Sequence, residues 1–193
     1  MRSTSYQKWD TARRDALDEI KQAHVAMGGA ARGRRYATQQ INRAYAVLLA
    51  SQFQGFCRDL HSECADHLVS AIAPPPALRS LVLTELTRGR QLDRGNAQPA
   101  SLGADFGRLG VDFWKEVDRH DPRNKARRTS LEALNHWRNA IAHQNFDSAI
   151  LGGTTTLRLA QVKHWRTACQ RLAESIDEVL RNHLQALTGT APW

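Results

Sequence analysis

The chain has 193 residues, of which 41% are hydrophobic and 24% are charged. This length suffices for one sizeable hydrophobic core, and nothing in the sequence marks a second folding unit, so we predict a single domain over residues 1–193. Lysine and arginine total 27 against 19 acidic residues, a formal net charge of +8. Because 22 of those 27 are arginine, whose planar fork suits phosphates and base edges, the charge favours nucleic acid as partner. The alternative is a solvated basic surface.

Cysteine usage and apolar run lengths bear on the cellular compartment. The three cysteines cannot all pair, and their spacing is unlike that of a secreted disulfide framework. The first residues lack the pattern of a signal peptide, and no run of 18 apolar residues occurs. We therefore expect a cytoplasmic protein with no membrane segment.

The spacing of apolar residues predicts an all-α protein, because a period of 3.6 dominates and strand-like alternation is nearly absent. A first helix is predicted over residues 11–27, with its end at Gly28 and Gly29. A long second helix is predicted over residues 35–72, ended by the prolines at 74–76.

Shorter elements are predicted in the middle of the chain. A short helix carries Leu78 to Leu86, and the Gly- and Arg-rich segment 88–103 is predicted to be a mobile loop. One further short helix is predicted over residues 106–117. The basic run at residues 119–128 is predicted to be a solvated linker.

The last third of the chain predicts two more helices. Thr129 and Glu132 form a capping-box pattern that predicts a helix over residues 130–142. The stretch LGGTTT, residues 151–156, predicts a turn or a small hairpin, and a long helix is predicted over residues 159–187. Two long helices with several short ones indicate a helical bundle.

An arginine interrupts the apolar stripe of the helix that carries WRNAIAH, residues 137–143. At about 100° per residue, Arg138 falls within the apolar sector. That sector contains Leu131, Leu134, Ile141 and Ala142. A polar row of Asn135, Asn139 and His143 runs beside it at i, i+4 and i+8. Burying a guanidinium costs several kcal/mol unless it is paired, so Arg138 calls for a neighbouring carboxylate, a route to solvent, a subunit interface or a bound anion.

Arg138, Asn139 and His143 stand in the order arginine, polar residue, three further residues, histidine. In this the stretch resembles the HEPN superfamily, whose members carry the pattern on a late helix of an α-helical bundle. The order of the predicted helices is also similar to that of HEPN domains, with a long early helix, a late helix that carries the motif and a long closing helix. Among the branches, residues 41–63 look most like the HEPN domains of bacterial defence and toxin modules, including the RiboL-PSP group.

The resemblance implies a metal-independent endoribonuclease that uses no cofactor and acts as a homodimer with facing motif helices. The RNA 2′-hydroxyl then attacks its own phosphate and leaves a 2′,3′-cyclic phosphate. The implied roles are proton transfer for His143, phosphoryl binding for Arg138, and orientation of the histidine or the phosphate for Asn139. Since Arg138 and His143 are about 140° apart on one helix, a twofold axis allows four side chains to line one cleft.

The resemblance also implies a biological role as a toxin or phage-defence effector, with a cognate antitoxin protein as a further partner. A second hypothesis is a non-catalytic helical module that binds RNA or a protein. A third is the HEPN partner of a nucleotidyltransferase antitoxin. The presence of both Arg138 and His143 favours the endoribonuclease over a non-catalytic module.

One face of the long early helix carries Cys57, His61, Cys64 and His67. Along a helix these four side chains span roughly 15 Å, too far to ligate one zinc ion together. We therefore predict buried cysteines and hydrogen-bonded histidines there, and no metal site.

Two His-Trp pairs recur, at residues 136–137 and 164–165. One interpretation is that they stack on RNA bases. The other, which we favour, is that tryptophans at helical spacing belong to the core.

Overall fold

The structure is a computed structural model that describes residues 1–27 and 35–193, and within these ranges it contains no β-strand. A π-helical turn, Trp9–Arg13, joins the first two helices, and a 3₁₀ turn, Gln91–Asp93, precedes the fifth. The helices are α1 Thr4–Lys8, α2 Arg14–Met27, α3 Arg35–Ile72, α4 Pro76–Thr87, α5 Pro99–Gly107, α6 Phe113–His120, α7 Asn124–His143 and α8 Leu159–Thr188. The predicted all-α helical bundle is confirmed.

The two long helices α3 and α8 pack on each other, and α7 packs against both. Their apolar faces meet in one core, whose largest fully buried side chains include Trp9, Tyr45, Phe53, Phe56, Phe106 and Trp165. The predicted bounds of α3 are confirmed, and α8 ends one residue beyond the predicted position. The predicted stop at Gly28 and Gly29 lies outside the described residues.

Helix α4 forms where the apolar spacing predicts it, but it buries none of its residues. Leu81, for example, is 57% exposed. No helix in the described ranges is both long enough and apolar enough to cross a bilayer.

The prediction of a mobile loop over residues 88–103 is wrong. Leu92 and Ala97 are buried in the core, and α5 begins within the segment at Pro99. The buried carboxylate of Asp105 accepts the backbone N–H groups of Gln91 and Leu92 at 2.9 and 2.8 Å. A buried acceptor thus satisfies backbone donors that would otherwise need water, which allows a polar, glycine-rich segment to pack.

The single helix predicted over residues 106–117 is two helices. Gly110 separates α5 from α6 with a φ of +80°, a backbone conformation that glycine adopts at little cost. Phe106 and Phe113 still stack across the break, with ring centroids 4.7 Å apart.

The start predicted for α7 is also wrong, because the helix begins at Asn124 rather than at residue 130. Thr129 lies inside it and donates its hydroxyl to the Lys125 carbonyl at 3.3 Å, so it is not the cap. Arg127 pairs with Asp121 at 2.8 Å. Much of the predicted solvated linker is therefore the first turns of α7, with part of its positive charge neutralised locally.

The sequence predicts a turn or a small hairpin at residues 151–156, and the structure has turns there and no hairpin. Trp137 and Trp165 lie in the core with ring centroids 6.5 Å apart. The core interpretation of the tryptophans is confirmed, and stacking of RNA bases on their ring faces is excluded in this conformation.

Candidate active site

The three motif residues occupy the last turns of α7, and His143 is its final residue. Gln144 follows in the left-handed region with a φ of +52°. This turn lets Asn145 donate its backbone N–H to the Ala140 carbonyl at 3.0 Å, which closes the helix end. The chain then leaves the helix axis, and the His143 side chain is exposed.

Arg138 is partly buried, and within the described residues it forms no ion pair with a carboxylate. Its one side-chain hydrogen bond to the described part of the chain goes from Nη1 to Oδ1 of Asn139, at 3.3 Å. Two other partly buried arginines have carboxylate partners, because Arg13 pairs with Asp59 and Arg166 with Asp18, each at 2.7 Å. Arg43 resembles Arg138, since it forms no ion pair in the described ranges and lies over the Phe146 ring. The internal-carboxylate explanation for Arg138 therefore fails, and its charge remains available to an anion.

The Asn139 amide is oriented by two donors. Its Oδ1 accepts from Nδ2 of Asn96 at 2.6 Å as well as from Arg138. Its own Nδ2 makes no hydrogen bond to the described chain and is open to solvent. One turn earlier, Asn135 donates to the Ala97 carbonyl at 3.0 Å. Two members of the predicted polar row thus hold residues 96–97 against α7. The side chain of the third, His143, has no hydrogen-bond partner among the residues that the structure describes.

A cleft of about 370 Å³ lies beside the end of α7, and we call it the histidine cleft. Its lining residues are His136, Asn139, Ala140, His143, Asn145, Asp147, Ile150 and Leu151. Asn139 and His143 therefore share one cleft, whereas Arg138 reaches it only through its contact with Asn139. This separation agrees with the angle of about 140° between Arg138 and His143 on the helix.

Sequence reasoning considered His136 only as part of a His-Trp pair and did not select Asn96, yet both residues lie near the motif. His136 stands seven residues before His143, two helical turns away on the same face, so the helical period could have found it. Asn96 lies far from the motif in sequence, and no local signal indicates that it contacts Asn139.

The cysteine and histidine face of α3 is internal. Cys57 and Cys64 are fully buried, and burial raises the pKa of both thiols. Nε2 of His61 lies 3.0 Å from the Asp105 carbonyl, and that of His67 lies 3.0 Å from the Thr188 hydroxyl. The predicted buried cysteines and hydrogen-bonded histidines are confirmed. Within the described ranges, no three His, Cys, Asp or Glu side chains cluster as metal ligands do.

His61 is held as a neutral imidazole. Arg90 Nη1 lies 3.4 Å from Nδ1, so Nδ1 faces a donor and Nε2 carries the proton toward Asp105. Burial, followed by the positive charge of Arg90, lowers the His61 pKa to about 4. This histidine supports the packing of residues 88–98.

An all-α bundle with arginine, asparagine and histidine near the end of a late helix has the architecture of the HEPN class. A family model described as RiboL-PSP-HEPN matches residues 11–182, and the chain belongs to this family within the HEPN superfamily. HEPN domains are generally ribonucleases or nucleotide-binding modules. No curated protein and no solved structure matches the chain.

Proposed function

We propose that the protein is a metal-independent endoribonuclease that cuts RNA by attack of the 2′-hydroxyl on the adjacent phosphate. The observation that carries the proposal is the partly buried Arg138, whose only hydrogen-bond partner in the described chain is the neutral amide of Asn139. A partly buried guanidinium with no carboxylate beside it is suited to bind a phosphate, which supplies the negative charge.

The reaction requires two proton transfers, one from the attacking 2′-hydroxyl and one to the departing 5′-oxygen. Neutral His143 accepts the 2′-hydroxyl proton while the 2′-oxygen bonds to phosphorus and the bond to the 5′-oxygen breaks. An imidazolium from a second copy of His143 protonates the departing 5′-oxygen, which leaves a 2′,3′-cyclic phosphate and a free 5′-hydroxyl. Arg138 and the free NH₂ of Asn139 donate to the phosphoryl oxygens, where negative charge grows in the transition state.

A homodimer supplies the second histidine. Arg138 and Ile141 are partly buried, and Ala142 and His143 are exposed at the same end of α7. A twofold axis at this end of the helix brings two copies of the motif to one cleft. The family resemblance supports a role as a toxin or phage-defence effector in the cytoplasm, restrained by a cognate antitoxin protein.

The test is cleavage of end-labelled RNA in the presence of EDTA. We expect products with 2′,3′-cyclic phosphate ends, and a rate loss of at least about 100-fold for Arg138→Ala and for His143→Ala. Mass spectrometry of the fragments identifies the ends.

Two variants are matched controls. His120 is exposed at the last position of α6, as His143 is on α7, and Arg119 is an exposed arginine paired with Glu116. His120→Ala and Arg119→Ala should keep full activity. RNA that stays intact while binding persists would instead identify a non-catalytic RNA-binding module.

A further inference from the structure

Among the partly buried arginines that the structure describes, Arg43 and Arg138 have no carboxylate partner. The others each have an acidic side chain within 3.4 Å, and they are Arg2, Arg13, Arg127, Arg128, Arg166 and Arg181. An arginine with no carboxylate beside it keeps its charge and its planar fork available for a phosphate. Arg138 is already assigned to the motif, so Arg43 is the arginine without a role.

Arg43 lies near the start of α3 and contacts the segment that follows the motif. Its Cζ lies 4.2 Å from the centre of the Phe146 ring. Phe146 comes shortly after His143, and its two neighbours in the chain, Asn145 and Asp147, both line the histidine cleft. Both unpaired arginines therefore lie at the end of the bundle where α7 finishes.

Core contacts hold Arg43 in this place. Its neighbour Asn42 is buried and donates Nδ2 to the Leu157 carbonyl at 2.8 Å, which ties α3 to the connection between α7 and α8. The Phe146 ring lies against Trp137, with ring centroids 6.4 Å apart. The helix that carries Arg43 and the ring beneath its guanidinium are thus both fixed before any ligand arrives.

The terminal donors of Arg43 are free for a ligand. Its Nε is buried without a hydrogen-bond partner, but Nη1 and Nη2, which also have no partner in the described chain, are not sealed from solvent. Asp147, the acidic residue next to Phe146, accepts the backbone N–H of Ala149 at 2.9 Å and forms no ion pair in the described ranges. Two free donors on one guanidinium suit the oxygens of a phosphate.

We propose that Arg43, held over Phe146, binds a flanking phosphate of the RNA, outside the bond that is cut. Trp137, which contacts Phe146, is about 100° around α7 from Arg138. The two arginines therefore approach the end of α7 from different sides and are placed for different phosphates. The proposal rests on the proposed function for the identity of its ligand, and it makes the substrate an RNA chain longer than a dinucleotide.

Binding is measured at several salt concentrations with 2′-O-methyl RNA, which cannot be cut because the nucleophile is blocked. Each phosphate contact to a single strand changes the slope of log affinity against log salt concentration by about 0.7. We expect Arg43→Met to weaken hexanucleotide binding about tenfold and to make the slope shallower by about 0.7, because one phosphate contact is lost. Arg43→Lys keeps the charge and should keep most of the slope.

Arg128→Met is the matched control. Arg128 also lies over an aromatic ring, that of Trp114, at 5.0 Å, but it pairs with Asp118 at 3.4 Å. It lies about 22 Å along α7 from His143. Arg128→Met should lower the melting temperature at least as much as Arg43→Met does, and it should leave the salt slope unchanged.

Cleavage tests the same contact through chain length, because a dinucleotide has only the scissile phosphate and cannot occupy a flanking site. We expect the ratio of kcat/KM for a hexanucleotide to kcat/KM for a dinucleotide to fall about tenfold in Arg43→Met, with most of the change in KM. An equal loss on both substrates would assign Arg43 to the scissile phosphate and overturn the flanking site.

The outcomes separate this proposal from the nuclease proposal. If Arg43→Met has the salt slope and the chain-length ratio of the wild type, Arg43 only packs on Phe146, and the nuclease proposal is unaffected. A shallower slope in a protein that cuts no RNA keeps the phosphate contact and removes the nuclease. Binding of pyrophosphate but not of the hexanucleotide assigns Arg43 to a free phosphate compound and overturns its role in RNA binding.

Discussion

The amide of Asn139 can present either a donor or an acceptor to the histidine cleft, and its neighbours decide which. Both of its described partners, Asn96 and Arg138, donate to the oxygen, so the NH₂ group remains for a ligand. Asn96 is 8% exposed and reaches the motif from the segment before α5. It acts as a positioning residue for a side chain that faces the phosphate.

We predict that Asn96→Asp lowers kcat roughly 10- to 100-fold with little change in KM, the range expected when one charge-assisted hydrogen bond is lost. The carboxylate repels Oδ1 of Asn139 and attracts its NH₂, so the amide turns and the cleft loses its donor. The measurement is steady-state kinetics on a single-site RNA, with the melting temperature recorded alongside.

The control for this variant is Gln54→Leu. Gln54 holds the same segment through the carbonyls of Leu92 and Gly95 at 2.8 and 2.6 Å, without contacting Asn139. It should lower the melting temperature and leave kcat unchanged. If Asn96→Asp slows an Asn139→Ala enzyme as much as it slows the wild type, Asn96 does not act through Asn139.

The motif residues themselves follow from local sequence. Arg138, Asn139 and His143 are spaced within two helical turns, and their helical placement needs only the 3.6-residue period. The contact between Asn96 and Asn139 joins positions 43 residues apart. Such a contact depends on how the segment packs, and spacing alone does not reveal it.

At the scale of elements, the segment 88–98 is fixed to α3 and α5 by buried polar groups. Arg90 donates to the Ser62 hydroxyl at 2.8 Å and lies against His61, while Asp105 accepts from the backbone of the segment. Protonating His61 would place a second positive charge beside Arg90. The segment that positions Asn139 is therefore sensitive to acid.

We predict that the free energy of unfolding falls as the pH drops from 6.5 to 4. The pKa of His61 is about 4 in the folded chain against an ordinary value of 6.5, so the unfolded chain binds the extra proton within this window. The contribution of His61 is fully present above pH 6.5, and its loss by pH 4 is on the order of 3 kcal/mol, at 1.36 kcal/mol per pKa unit. Urea unfolding at several pH values measures it.

His61→Gln is the informative variant, because its amide still donates to the Asp105 carbonyl and does not titrate. It should flatten the pH dependence of stability between 6.5 and 4, whereas His120→Gln, at an exposed position, should not. A slope that is identical in His61→Gln and wild type would contradict the prediction. An NMR titration of the His61 imidazole measures its pKa directly in the folded protein.

Helix boundaries illustrate which elements local signals predict. Three consecutive prolines end α3 where expected, since proline removes a backbone donor and clashes with the preceding turn. The capping-box pattern of Thr129 and Glu132 predicts the wrong start for α7, because both residues lie inside the helix. The basic residues before them favour helix once Asp121 pairs with Arg127, a contact that a charge count does not reveal.

At the scale of the whole molecule, the proposed active cleft needs two chains. Within one chain, the histidine cleft is lined by Asn139 and His143 but not by Arg138. A dimer about α7 brings a second arginine and a second histidine to the same place. The assembly should therefore have twice the 21.7 kDa mass of the chain.

We predict that two inactive variants regain activity when their subunits are mixed. Arg138→Ala and His143→Ala each remove both copies of one side chain from the dimer, whereas a mixed dimer keeps one arginine and one histidine. With a single histidine, one of the two proton transfers is left to water, so activity should rise at least about tenfold above either variant alone and stay well below that of the wild type. Refolding the two together and assaying labelled RNA measures this.

The control mixes Arg138→Ala with the double variant that lacks both side chains, which leaves no Arg138 in any dimer and should stay inactive. A chain that sediments as a monomer, or a mixture no more active than its components, would remove the shared cleft from the mechanism.

The sequence by itself determined the all-α class, the extents of the two long helices and the arginine-asparagine-histidine motif, because helical period, proline stops and short spacings are local properties of the chain. Only the tertiary structure decided that residues 88–98 pack, that Asn96 orients Asn139, and that Trp137 and Trp165 meet in the core. These features join distant parts of the chain, and their energies come from burial and from hydrogen bonds that exist only once the helices are packed.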